Sequence, residues 1–581
     1  MFDKILVANR GEIAVRVIRT AREMGIATVA VYSEIDRDAA HVRLADEAFL
    51  LGPAPPSQSY LNGEKLVDVA HRAGAEAIHP GYGFLAENAA FARQVVAAGL
   101  TWIGPHADAI DAMGDKLRAR QAMKKARVPL VPGGVQPIET VPDARRAARE
   151  YGLPLALKAS GGGGGKGLKV ARSMGDVESA FNNARREAEA YFKNPTIYAE
   201  RYLENPKHIE LQILADKYGT VLCIGERDCS LQRRHQKLFE EAPARLSVGM
   251  RRKMRAAAVR AAAAIGYDSV GTIECLVSGE HFFFLEMNTR IQVEHTVTEM
   301  ISGLDLIREQ IRVAAGEPLG FVQDDVVFKG FSIEGRVNAE DPANNFAPAP
   351  GTISAYREPG GLGVRVDSAA YPGFTITPDY DSMIAKLIVW APTRSQALAR
   401  LKRAIGEYVI EGVPTTLPLL SALCDYEPVA DGTYGTTTLE EFAAGFKTAQ
   451  APAARAEERE TSAGPEIRVE INDKLYRVRL VDVPGGTATG GNGVRRARPR
   501  HVPKRNAPPV SGNDVVSPMH GVIVELKAAP GATVAEGAVV AVIEAMKMMN
   551  EIRAHRSGTV AAVHAKAGST VEAGTPLVTL E

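Results

Sequence analysis

A repeat near the C-terminus constrains the fold of this chain more than any other feature. When the sequence is shifted by 37 positions, Gly521 falls on Gly558 and Thr533 falls on Thr570. Both copies are short, valine-rich runs separated by glycines, which is typical of β-hairpins. Each copy is too small to bury a core by itself, so we expect the two to pack together as one small β-domain.

Lys547 lies in the segment that joins the two copies, between Met546 and Met548. A tight turn there would direct its side chain into solvent. The surrounding Glu-Ala-Met-Lys-Met resembles the biotin attachment site of biotin carboxyl carrier domains. Lipoyl carriers share that fold but usually have an Asp-Lys-Ala context, which is absent here. The resemblance implies that Lys547 carries covalent biotin, attached by a biotin protein ligase.

The composition indicates a multidomain chain, because 581 residues are enough for several domains. Lys plus Arg and Asp plus Glu both number 69, so no net field attracts it to nucleic acid or to membranes. The four cysteines show no CxxC spacing, which favours a reducing compartment over a zinc site. No signal peptide and no bilayer-spanning apolar run is evident. We therefore expect a cytoplasmic protein without nucleic-acid or membrane partners.

The N-terminal hundred residues have an alternating βα pattern. Residues 4–8 predict a buried strand, residues 13–24 an amphipathic helix, and residues 27–32 a second strand. Gly-x-Gly-x-x-Gly is missing, so a dinucleotide site is not expected. A glycine-rich loop at 80–88 follows another strand at 77–79. In open α/β sheets such loops bind ligands, although a simple βα turn is an equal alternative.

A run of five glycines precedes Lys166 and separates two short strands, at 155–158 and 168–170. Glycines allow the backbone to wrap an anion with its amide groups directed inward. The run is not a Walker A loop, because Lys166 is followed by Gly167 and the loop does not open a helix. We interpret it as a phosphate-binding loop, with a flexible linker as the alternative.

Glu274 and Glu286 lie on two predicted strands, 272–277 and 282–288, with a turn between them. A turn centred near residue 280 would place the two carboxylates opposite each other, with Asn288 beside them. Two carboxylates and an amide oxygen suit Mg²⁺ or Mn²⁺ that holds ATP phosphates. The alternative is a surface hairpin with incidental acids.

Polar residues are also dense at 226–237 and 286–295. Lys237 and Arg290 could clamp a small oxyanion, to which arginine offers two donors. Glu294 could remove a proton if its surroundings hold it near that anion.

These blocks together resemble biotin carboxylase, an ATP-grasp ligase, over roughly residues 1–446. The matching stretches lie at 8–13, 79–85, the five-glycine loop, 226–230, 232–237 and 286–295. Two departures are Thr296, where the family often has proline, and Gly335, where cysteine is common. Together with the carrier lysine, the chain resembles the biotin-containing α chain of an acyl-CoA carboxylase.

The resemblance implies a role for individual residues. ATP would contact Lys116, Lys158, Gly163, Gly164, Gly165, Glu200, Arg201, Leu203, His208, Gln232 and His235, with 200–203 along the adenine edge. Metal would bind Glu274, Glu286 and Asn288. Bicarbonate and biotin would contact Lys237, Arg290, Gln292, Val293, Arg336 and Tyr82. The catalytic residues would be Arg290, Lys237, Glu294 as the base and Arg336 as the group that stabilises the biotin enolate.

The expected architecture is a multidomain α/β and α+β fold. It comprises a Rossmann-like N-terminal domain (1–113), an ATP-grasp domain (114–330), a C-terminal biotin carboxylase domain (331–446), a linker (447–511) with a β-hairpin at 466–482, and an all-β biotinyl carrier domain (512–581). We interpret the basic residues of the linker as a solvated tether.

The expected function is ATP- and bicarbonate-dependent carboxylation of biotin held on the chain's own carrier domain. We expect the α subunit of an acetyl- or propionyl-CoA carboxylase, or else the biotin carboxylase subunit of a two-subunit pyruvate or methylcrotonyl-CoA enzyme. Another ATP-grasp ligase and an inactive carrier protein are more distant alternatives. Because little sequence remains after the carrier is counted, we expect a separate carboxyltransferase β subunit, with the chain a homo-oligomer within a hetero-oligomeric complex.

Overall fold

The computed structural model of the chain describes residues 1–161, 167–234, 236–446, 466–471, 474–479, 512–519, 521–545, 548–572 and 574–581. The predicted site residues Gly163, Gly164, Gly165, His235 and Lys547 lie outside this part of the chain. Within it, no helix has both the length and the apolar composition that crossing a bilayer requires. All four cysteines are buried, free thiols.

The N-terminal part is an open parallel sheet with helices. Its elements are β1 (Lys4–Val7), α1 (Gly11–Glu23), β2 (Ala27–Ser33), α2 (Ala40–Leu44), β3 (Glu47–Gly52), α3 (Gly63–Ala73), β4 (Ala77–His79), α4 (Ala89–Ala97), β5 (Thr101–Trp102) and α5 (Ala107–Gly114). The strand order is β3-β2-β1-β4-β5. The order reverses between β1 and β4, and open α/β sheets bind ligands at this point. The loop at 80–88 leaves the carboxyl end of β4 there.

The predicted β1–α1–β2 unit is confirmed. Ile13, Val17 and Ala21 form the buried stripe of α1, and Gly25 follows the helix with a φ of 73°. Only glycine adopts this left-handed conformation without steric cost, so it ends the helix cleanly.

The middle of the chain contains a small antiparallel sheet and most of a large one. Its elements are α6 (Lys116–Lys125), α7 (Val141–Tyr151), β6 (Leu155–Ala159), β7 (Leu168–Ala171), α8 (Val177–Phe192), β8 (Ile197–Arg201), β9 (Lys207–Ala215), β10 (Val221–Arg233), β11 (Gln236–Ala242), α9 (Val248–Ala264), β12 (Val270–Ser278), β13 (His281–Asn288), α10 (His295–Ser302) and α11 (Leu306–Ala314). The small sheet, β7-β6-β8, shares a core with α7 and α8. The five-glycine run therefore connects two paired strands, as predicted.

Residues 331–446 extend the large sheet. Their elements are β14 (Phe331–Asn338), β15 (Glu340–Asp341), β16 (Ala347–Pro348), β17 (Gly351–Thr352), β18 (Ala355–Arg357), β19 (Val364–Ser368), β20 (Thr375–Ile376), β21 (Met383–Ala391), α12 (Arg394–Glu407), β22 (Val409–Glu411), α13 (Leu417–Leu423), α14 (Glu427–Asp431) and α15 (Thr438–Phe446). The large sheet has eight strands in the order β13-β12-β9-β10-β11-β14-β21-β19. It crosses residue 330 without interruption, and the domain limits drawn at 113 and 330 stay predictions.

The predicted hairpin after residue 446 is confirmed. Strands β23 (Glu466–Ile471) and β24 (Lys474–Arg479) pair in antiparallel register, with Ile471 opposite Lys474. Asn472 and Asp473, which separate the two strands, lie outside the described chain.

The C-terminal part is an all-β domain of two sheets. Its strands are β25 (Asp514–Val516), β26 (Gly521–Leu526), β27 (Thr533–Val534), β28 (Val539–Ala545), β29 (Met548–Arg553), β30 (Gly558–Val563), β31 (Thr570–Val571) and β32 (Pro576–Leu580). The sheet orders are β25-β32-β30-β27 and β29-β28-β26-β31. Shifting the numbering by 37 converts each strand of one sheet into its counterpart in the other. The predicted two-fold repeat is therefore confirmed strand by strand.

The glycines of the repeat occupy equivalent turns. Gly531 and Gly568 have φ angles of 81° and 83°, and Gly537 and Gly574 have φ angles of 79° and 84°. A residue with a Cβ would be strained at these angles, which explains why the repeat keeps glycine at both pairs of positions.

Candidate active site

Three glutamates lie side by side on adjacent strands of the eight-stranded sheet. Glu274 on β12 pairs with Glu210 on β9 and with Glu286 on β13. Glu210 and Glu274 are buried, whereas the Glu286 side chain is 31% exposed. Like charges on directly opposed residues destabilise a sheet. Nearby cations must therefore balance this row.

A β-bulge sets the pairing of Glu274 with Glu286. Ser278 pairs with His281 across a tight turn, and a regular ladder from that pair would place Leu285 opposite Glu274. A register shift between Cys275 and Glu274 brings Glu286 there instead. Because side chains alternate between faces, this single extra residue restores both carboxylates to one face. The predicted opposition of the two glutamates is confirmed.

Lys237 on β11 is the main cation of the row. Its ammonium donates hydrogen bonds to Glu210, to Glu274 Oε1 at 3.0 Å and to Glu294 Oε1 at 2.8 Å. Burial alone would lower the pKa of Lys237, but these carboxylates raise it well above its usual value. Lys237 therefore stays protonated although it is buried.

His208 supplies a second positive charge. Its Nε2 lies 3.2 Å from Glu274 Oε2 and 3.4 Å from Glu210 Oε1. Burial lowers the pKa of His208, yet the two carboxylates raise it to about 9. Burial likewise raises the pKa of Glu274, but Lys237 and then His208 hold it well below its usual value. Glu274 is therefore ionised, as a metal ligand must be.

Glu294 precedes α10 and lies between two cations. Its Oε1 accepts from Lys237, and its Oε2 accepts from Arg336 Nη2 at 2.9 Å. Burial raises the pKa of this carboxyl, but the charge of Lys237 and, to a smaller extent, that of Arg336 bring the pKa below its usual value. Arg336 Nε donates to Glu240 at 2.6 Å. Its Nη1 has no hydrogen-bond partner among the residues that the structure describes, so it is free to bind an anion.

Arg290 is fixed on three sides. Its Nε donates to Glu87 at 2.8 Å, its Nη1 to the Ile291 carbonyl at 3.1 Å and its Nη2 to Asn288 Oδ1 at 2.9 Å. Each terminal nitrogen carries a second hydrogen. Arg290 therefore retains one further donor on each terminal nitrogen for an oxyanion.

Lys116 and Glu286 form an ion pair with 2.5 Å between Nζ and Oε2. Glu274 and Glu286 pair across β12 and β13. Asn288 Nδ2 donates to Glu274 Oε1 at 2.8 Å, whereas its Oδ1 accepts from Arg290. The three residues are therefore neighbours that can offer oxygen ligands. Mg²⁺ prefers such a donor set. In this structure Lys116 and Lys237 neutralise the same oxygens that a divalent ion would. The chemistry of these residues suits Mg²⁺, and their assignment as its ligands stays a prediction.

The small sheet brings further predicted residues together. Glu200 on β8 is buried and accepts hydrogen bonds from Lys158 on β6 and from Arg120 Nη1, the latter at 2.7 Å. The next residue, Arg201, is exposed and Leu203 is half-buried. Glu200 is therefore fixed by two cations, while Arg201 shares none of these contacts.

Three further predicted residues, Gln292, Val293 and Gln232, contact or pair with buried charged residues. Gln292 Nε2 donates to Glu274 Oε1 at 2.9 Å, and the Val293 carbonyl accepts from Lys386 at 2.9 Å. Gln232 is buried and pairs with Lys237 across β10 and β11. Gln292 therefore contacts the row of glutamates directly, whereas Val293 is held by Lys386.

Tyr82 extends the site toward the N-terminal sheet. Its hydroxyl donates to Glu12 at the start of α1, and Asn9 Nδ2 donates to the Pro80 carbonyl at 2.7 Å and to the Tyr82 carbonyl at 2.8 Å. The loops that leave β1 and β4 are thus joined at the point where the strand order reverses.

The sequence reasoning missed Glu87, Glu210, Arg227, Glu240 and Lys386. Arg227 is fully buried and donates to Glu210, Gln212, Thr272, Gln292 and Thr298. Glu210 follows His208 by two residues on one strand, so strand alternation could have placed both on one face. The others contact residues far away in sequence, and no local pattern indicates those contacts.

The two departures from the family pattern are both accommodated. The Thr296 hydroxyl donates a hydrogen bond to the buried Glu334, a contact that proline could not make. A Cβ at Gly335 would lie 3.1 Å from Leu420 Cδ1. In this chain Leu420 therefore occupies space that a cysteine side chain would need.

Comparisons with known proteins agree with this arrangement. Four family models match the chain: "Biotin carboxylase, N-terminal domain" at 1–110, "Carbamoyl-phosphate synthase L chain, ATP binding domain" at 115–322, "Biotin carboxylase C-terminal domain" at 334–441 and "Biotin-requiring enzyme" at 513–580. Together they cover the ATP-binding, carboxylase and carrier parts that the sequence indicates.

Relatives and solved structures extend the match. Biotin carboxylase 1 of Bacillus subtilis is 53% identical over 445 residues, which is 76% of this chain and 99% of that protein. The biotin-dependent acyl-coenzyme A carboxylase alpha3 subunit of Mycobacterium leprae is 42% identical over 598 residues, covering 100% of this chain and 98% of that protein. The biotin carboxylase domain of Hydrogenobacter thermophilus 2-oxoglutarate carboxylase, solved in complex with MgADP, ADP and bicarbonate, has 51% identity and a TM-score of 0.75 and covers 78% of this chain and 100% of that one. The chain therefore belongs to the biotin carboxylase family and combines this ATP- and bicarbonate-dependent enzyme with a biotin carrier domain in one polypeptide.

Proposed function

We propose that the chain is the α subunit of an acyl-CoA carboxylase and passes its carboxyl group to a separate carboxyltransferase subunit. The observation that carries this proposal is the extent of one match. The acyl-coenzyme A carboxylase protein of Mycobacterium leprae matches 100% of the chain, carrier included. The small subunit of Hydrogenobacter 2-oxoglutarate carboxylase and the pyruvate carboxylase subunit of Methanothermobacter thermautotrophicus match 76% and 77%. A pyruvate- or methylcrotonyl-CoA-type enzyme is the alternative.

Glu274, Glu286 and Asn288 are the proposed ligands of Mg²⁺ that holds the ATP phosphates. The bound ion would neutralise the charge that develops on the transferred phosphoryl group. Lys116 and Lys158 extend this positive charge toward the nucleotide, and Glu200, held by Lys158 and Arg120, is placed to orient it. The Hydrogenobacter domain, with MgADP and bicarbonate in its structure, supports this assignment.

Glu294 is the proposed base that takes the proton of bicarbonate. Lys237 and Arg336 hold the pKa of Glu294 below its usual value. When bicarbonate binds, it shares these two cations, and their hold on Glu294 weakens. The carboxylate then becomes more basic at the moment when its substrate is in place, which is the property that a general base requires.

Arg290 and Lys237 are the proposed anion clamp, together with Gln292 and the Val293 backbone. Arg290 retains two outward donors after its contacts to Glu87, Asn288 and Ile291. The Glu87 contact joins the 80–88 loop, which carries Tyr82, to the segment between β13 and α10, which carries Arg290. The clamp and the 80–88 loop are therefore held together. Such preorganised donors stabilise a transition state without reorganising during the reaction.

Biotin attached to Lys547 would supply the ureido nitrogen that accepts the carboxyl group. Arg336 is proposed to stabilise the enolate oxygen of that ring through its Nη1, and Tyr82 to line the same pocket. A biotin protein ligase is the proposed partner that loads Lys547. The buried, unpaired state of all four cysteines supports a reducing cytoplasm as the location.

Label from radioactive bicarbonate is expected to pass first to biotin and then, on the partner subunit, to the acyl-CoA. With ATP and Mg²⁺, the purified chain alone should incorporate label into itself and into added free biotin. Added acetyl-CoA or propionyl-CoA should become labelled only when the co-purifying carboxyltransferase is present. The measurement is the label in the carboxylated product when acetyl-CoA or propionyl-CoA is the acceptor. The same measurement with pyruvate or 3-methylcrotonyl-CoA as the acceptor gives the comparison.

Two results would contradict this proposal in different ways. Labelled malonyl-CoA or methylmalonyl-CoA made by the homogeneous chain alone would remove the need for a partner. Label in oxaloacetate or methylglutaconyl-CoA, and none in the other acyl-CoA products, would instead favour the alternative enzymes.

Arg290→Ala is expected to lower the rate of bicarbonate-dependent ATP cleavage by about 10²–10³-fold, since it removes a donor pair from the transition state. ATP affinity should stay close to that of the unchanged chain, because Arg290 bonds to Glu87, Asn288 and Ile291 and to none of the residues proposed to contact ATP directly. Steady-state kinetics in bicarbonate and ATP, with a separate ATP-binding titration, would measure both effects.

Arg145→Ala is the matched control, because Arg145 forms an exposed ion pair with Glu178 and exposed pairs contribute little. It should leave both parameters unchanged. A large ATP-binding defect in Arg290→Ala with normal turnover at saturation would reassign Arg290 to the nucleotide.

A further inference from the structure

Lys386 on β21 is a fully buried lysine, with 0% exposure, at the centre of the large sheet's C-terminal half. It pairs with Arg336 on β14 and with Asp367 on β19. Its ammonium lies 3.3 Å from Glu12 Oε2 and 3.8 Å from Asp367 Oδ2. A buried ammonium is costly unless carboxylates compensate it, and here two of them do.

The same ammonium donates a hydrogen bond to the Val293 carbonyl at 2.9 Å. A peptide unit is planar, so the Val293 carbonyl and the Glu294 N–H belong to one rigid plane. By holding that carbonyl, Lys386 fixes the orientation of the peptide that leads into Glu294. The proposed base therefore depends on a lysine more than ninety residues away in the chain.

Glu12 links Lys386 to Tyr82. Its Oε2 faces Lys386, and its other oxygen accepts the Tyr82 hydroxyl. Tyr82 lies in the 80–88 loop and Glu12 in the first turn of α1, both at the reversal point of the N-terminal sheet. The ammonium of Lys386 thus connects Val293, which precedes Glu294, with Glu12 and, through Glu12, with Tyr82 in the 80–88 loop. Lys386 itself lies on β21, the strand that pairs with β14 and Arg336.

We propose that Lys386 is a positioning residue that sets the geometry of the bicarbonate and biotin pocket, by holding the Val293–Glu294 peptide and the Glu12–Tyr82 pair at once. The inference rests on the proposed function, because it uses the roles assigned there to Glu294, Tyr82 and Arg336. Lys386 acts through these groups and has no contact with the proposed nucleotide ligands among the described residues.

The test is the kinetics of the full chain carrying Lys386→Met, a substitution of similar length without charge or donors. The expected result is a fall in kcat/KM for free biotin and for bicarbonate of about 10–100-fold, the range that a small misplacement of reacting groups costs. ATP affinity should be unchanged. A purely structural role would lower all three together, so the split between them is the decisive readout.

A second variant covers the case in which Lys386→Met does not fold. Lys386→Met with Glu12→Gln removes one positive and one negative charge, and the glutamine amide can still bond to Tyr82. It should show the same selective loss. Lys402→Met is the control, because Lys402 forms an exposed pair with Asp425 in the turn between α13 and α14. The kinetics and thermal unfolding of this variant should match those of the unchanged chain.

Arg336→Met is measured in parallel to separate this inference from the proposed function. If Arg336→Met impairs free-biotin carboxylation and either folded Lys386 variant does not, the inference is overturned and the proposed function stands. If neither residue matters, the assigned pocket is wrong and the inference falls with it. Equal losses of ATP, bicarbonate and biotin kinetics in the Lys386 variants would also overturn the positioning role.

Discussion

Glu286→Gln is expected to reduce bicarbonate-dependent ATP cleavage by about 10²–10³-fold while the chain stays folded. The substitution keeps the size of the side chain and removes one of the two proposed carboxylate ligands of Mg²⁺. It also removes the partner of Lys116, whose ammonium lies 2.5 Å from Glu286. Because the Glu286 side chain is 31% exposed, its neutral form carries no large desolvation penalty, and the fold should tolerate it. The measurement is ATP turnover as a function of Mg²⁺ and bicarbonate.

Glu280→Gln is the matched control for that variant. Glu280 is an exposed glutamate in the turn of the same hairpin, so its change removes an equal charge outside the site. Turnover should be that of the unchanged chain. Near-normal turnover of Glu286→Gln with an unchanged Mg²⁺ requirement would reject Glu286 as a ligand. Near-normal turnover reached only at raised Mg²⁺ would limit its part to affinity for the ion.

The C-terminal domain was predictable because its information is local. The 37-residue spacing of Gly521 and Gly558 in the sequence becomes two equivalent strand pairs in the fold, with Gly521 opposite Val571 and Gly558 opposite Val534. Repeated glycines at positive φ fix the turns, and hydrophobic alternation fixes the faces. Short-range rules of this kind need no knowledge of distant contacts.

The hairpin of Glu274 and Glu286 shows where such rules stop. Alternation and turn position predicted the two strands and the opposition of the carboxylates, which is confirmed. A regular ladder gives that opposition only with a turn centred at residue 280, whereas the pairing of Ser278 with His281 centres the turn between residues 279 and 280. The bulge beside Cys275 makes up the difference. The position of a bulge depends on how the hairpin packs against the rest of the sheet, so the sequence of the hairpin alone does not indicate it.

The charge network could not be predicted from the sequence. Glu210 neutralises Lys237, Glu87 orients Arg290, and Lys386 holds Val293, but each pair is separated by many residues. Buried ions keep their charge only because these partners meet in the folded chain. The sequence indicates which side chains are chemically capable of the reaction, whereas the fold decides which of them share a proton or an anion.

Lys547→Arg is expected to eliminate biotin from the chain, the largest effect among these predictions. Lys547 follows β28, which ends at Ala545, and precedes β29, which begins at Met548; these two strands are neighbours in one sheet. Biotinylation requires an amine that loses its proton and is acylated. Arginine keeps the positive charge, but its guanidinium stays protonated in proteins and is not acylated in the same way. Streptavidin blotting of the full chain should fall to background.

The free-biotin reaction decides whether this variant has lost its attachment site or its fold. Because the proposed bicarbonate and nucleotide residues all precede residue 447, Lys547→Arg should carboxylate added free biotin at the normal rate while its own polypeptide takes up no label. Lys527→Arg, at an exposed lysine of the same domain, should keep both activities and bind streptavidin normally. Streptavidin binding by Lys547→Arg would show that another lysine carries the biotin, and the two-fold centre of the repeat would then lose its assigned role.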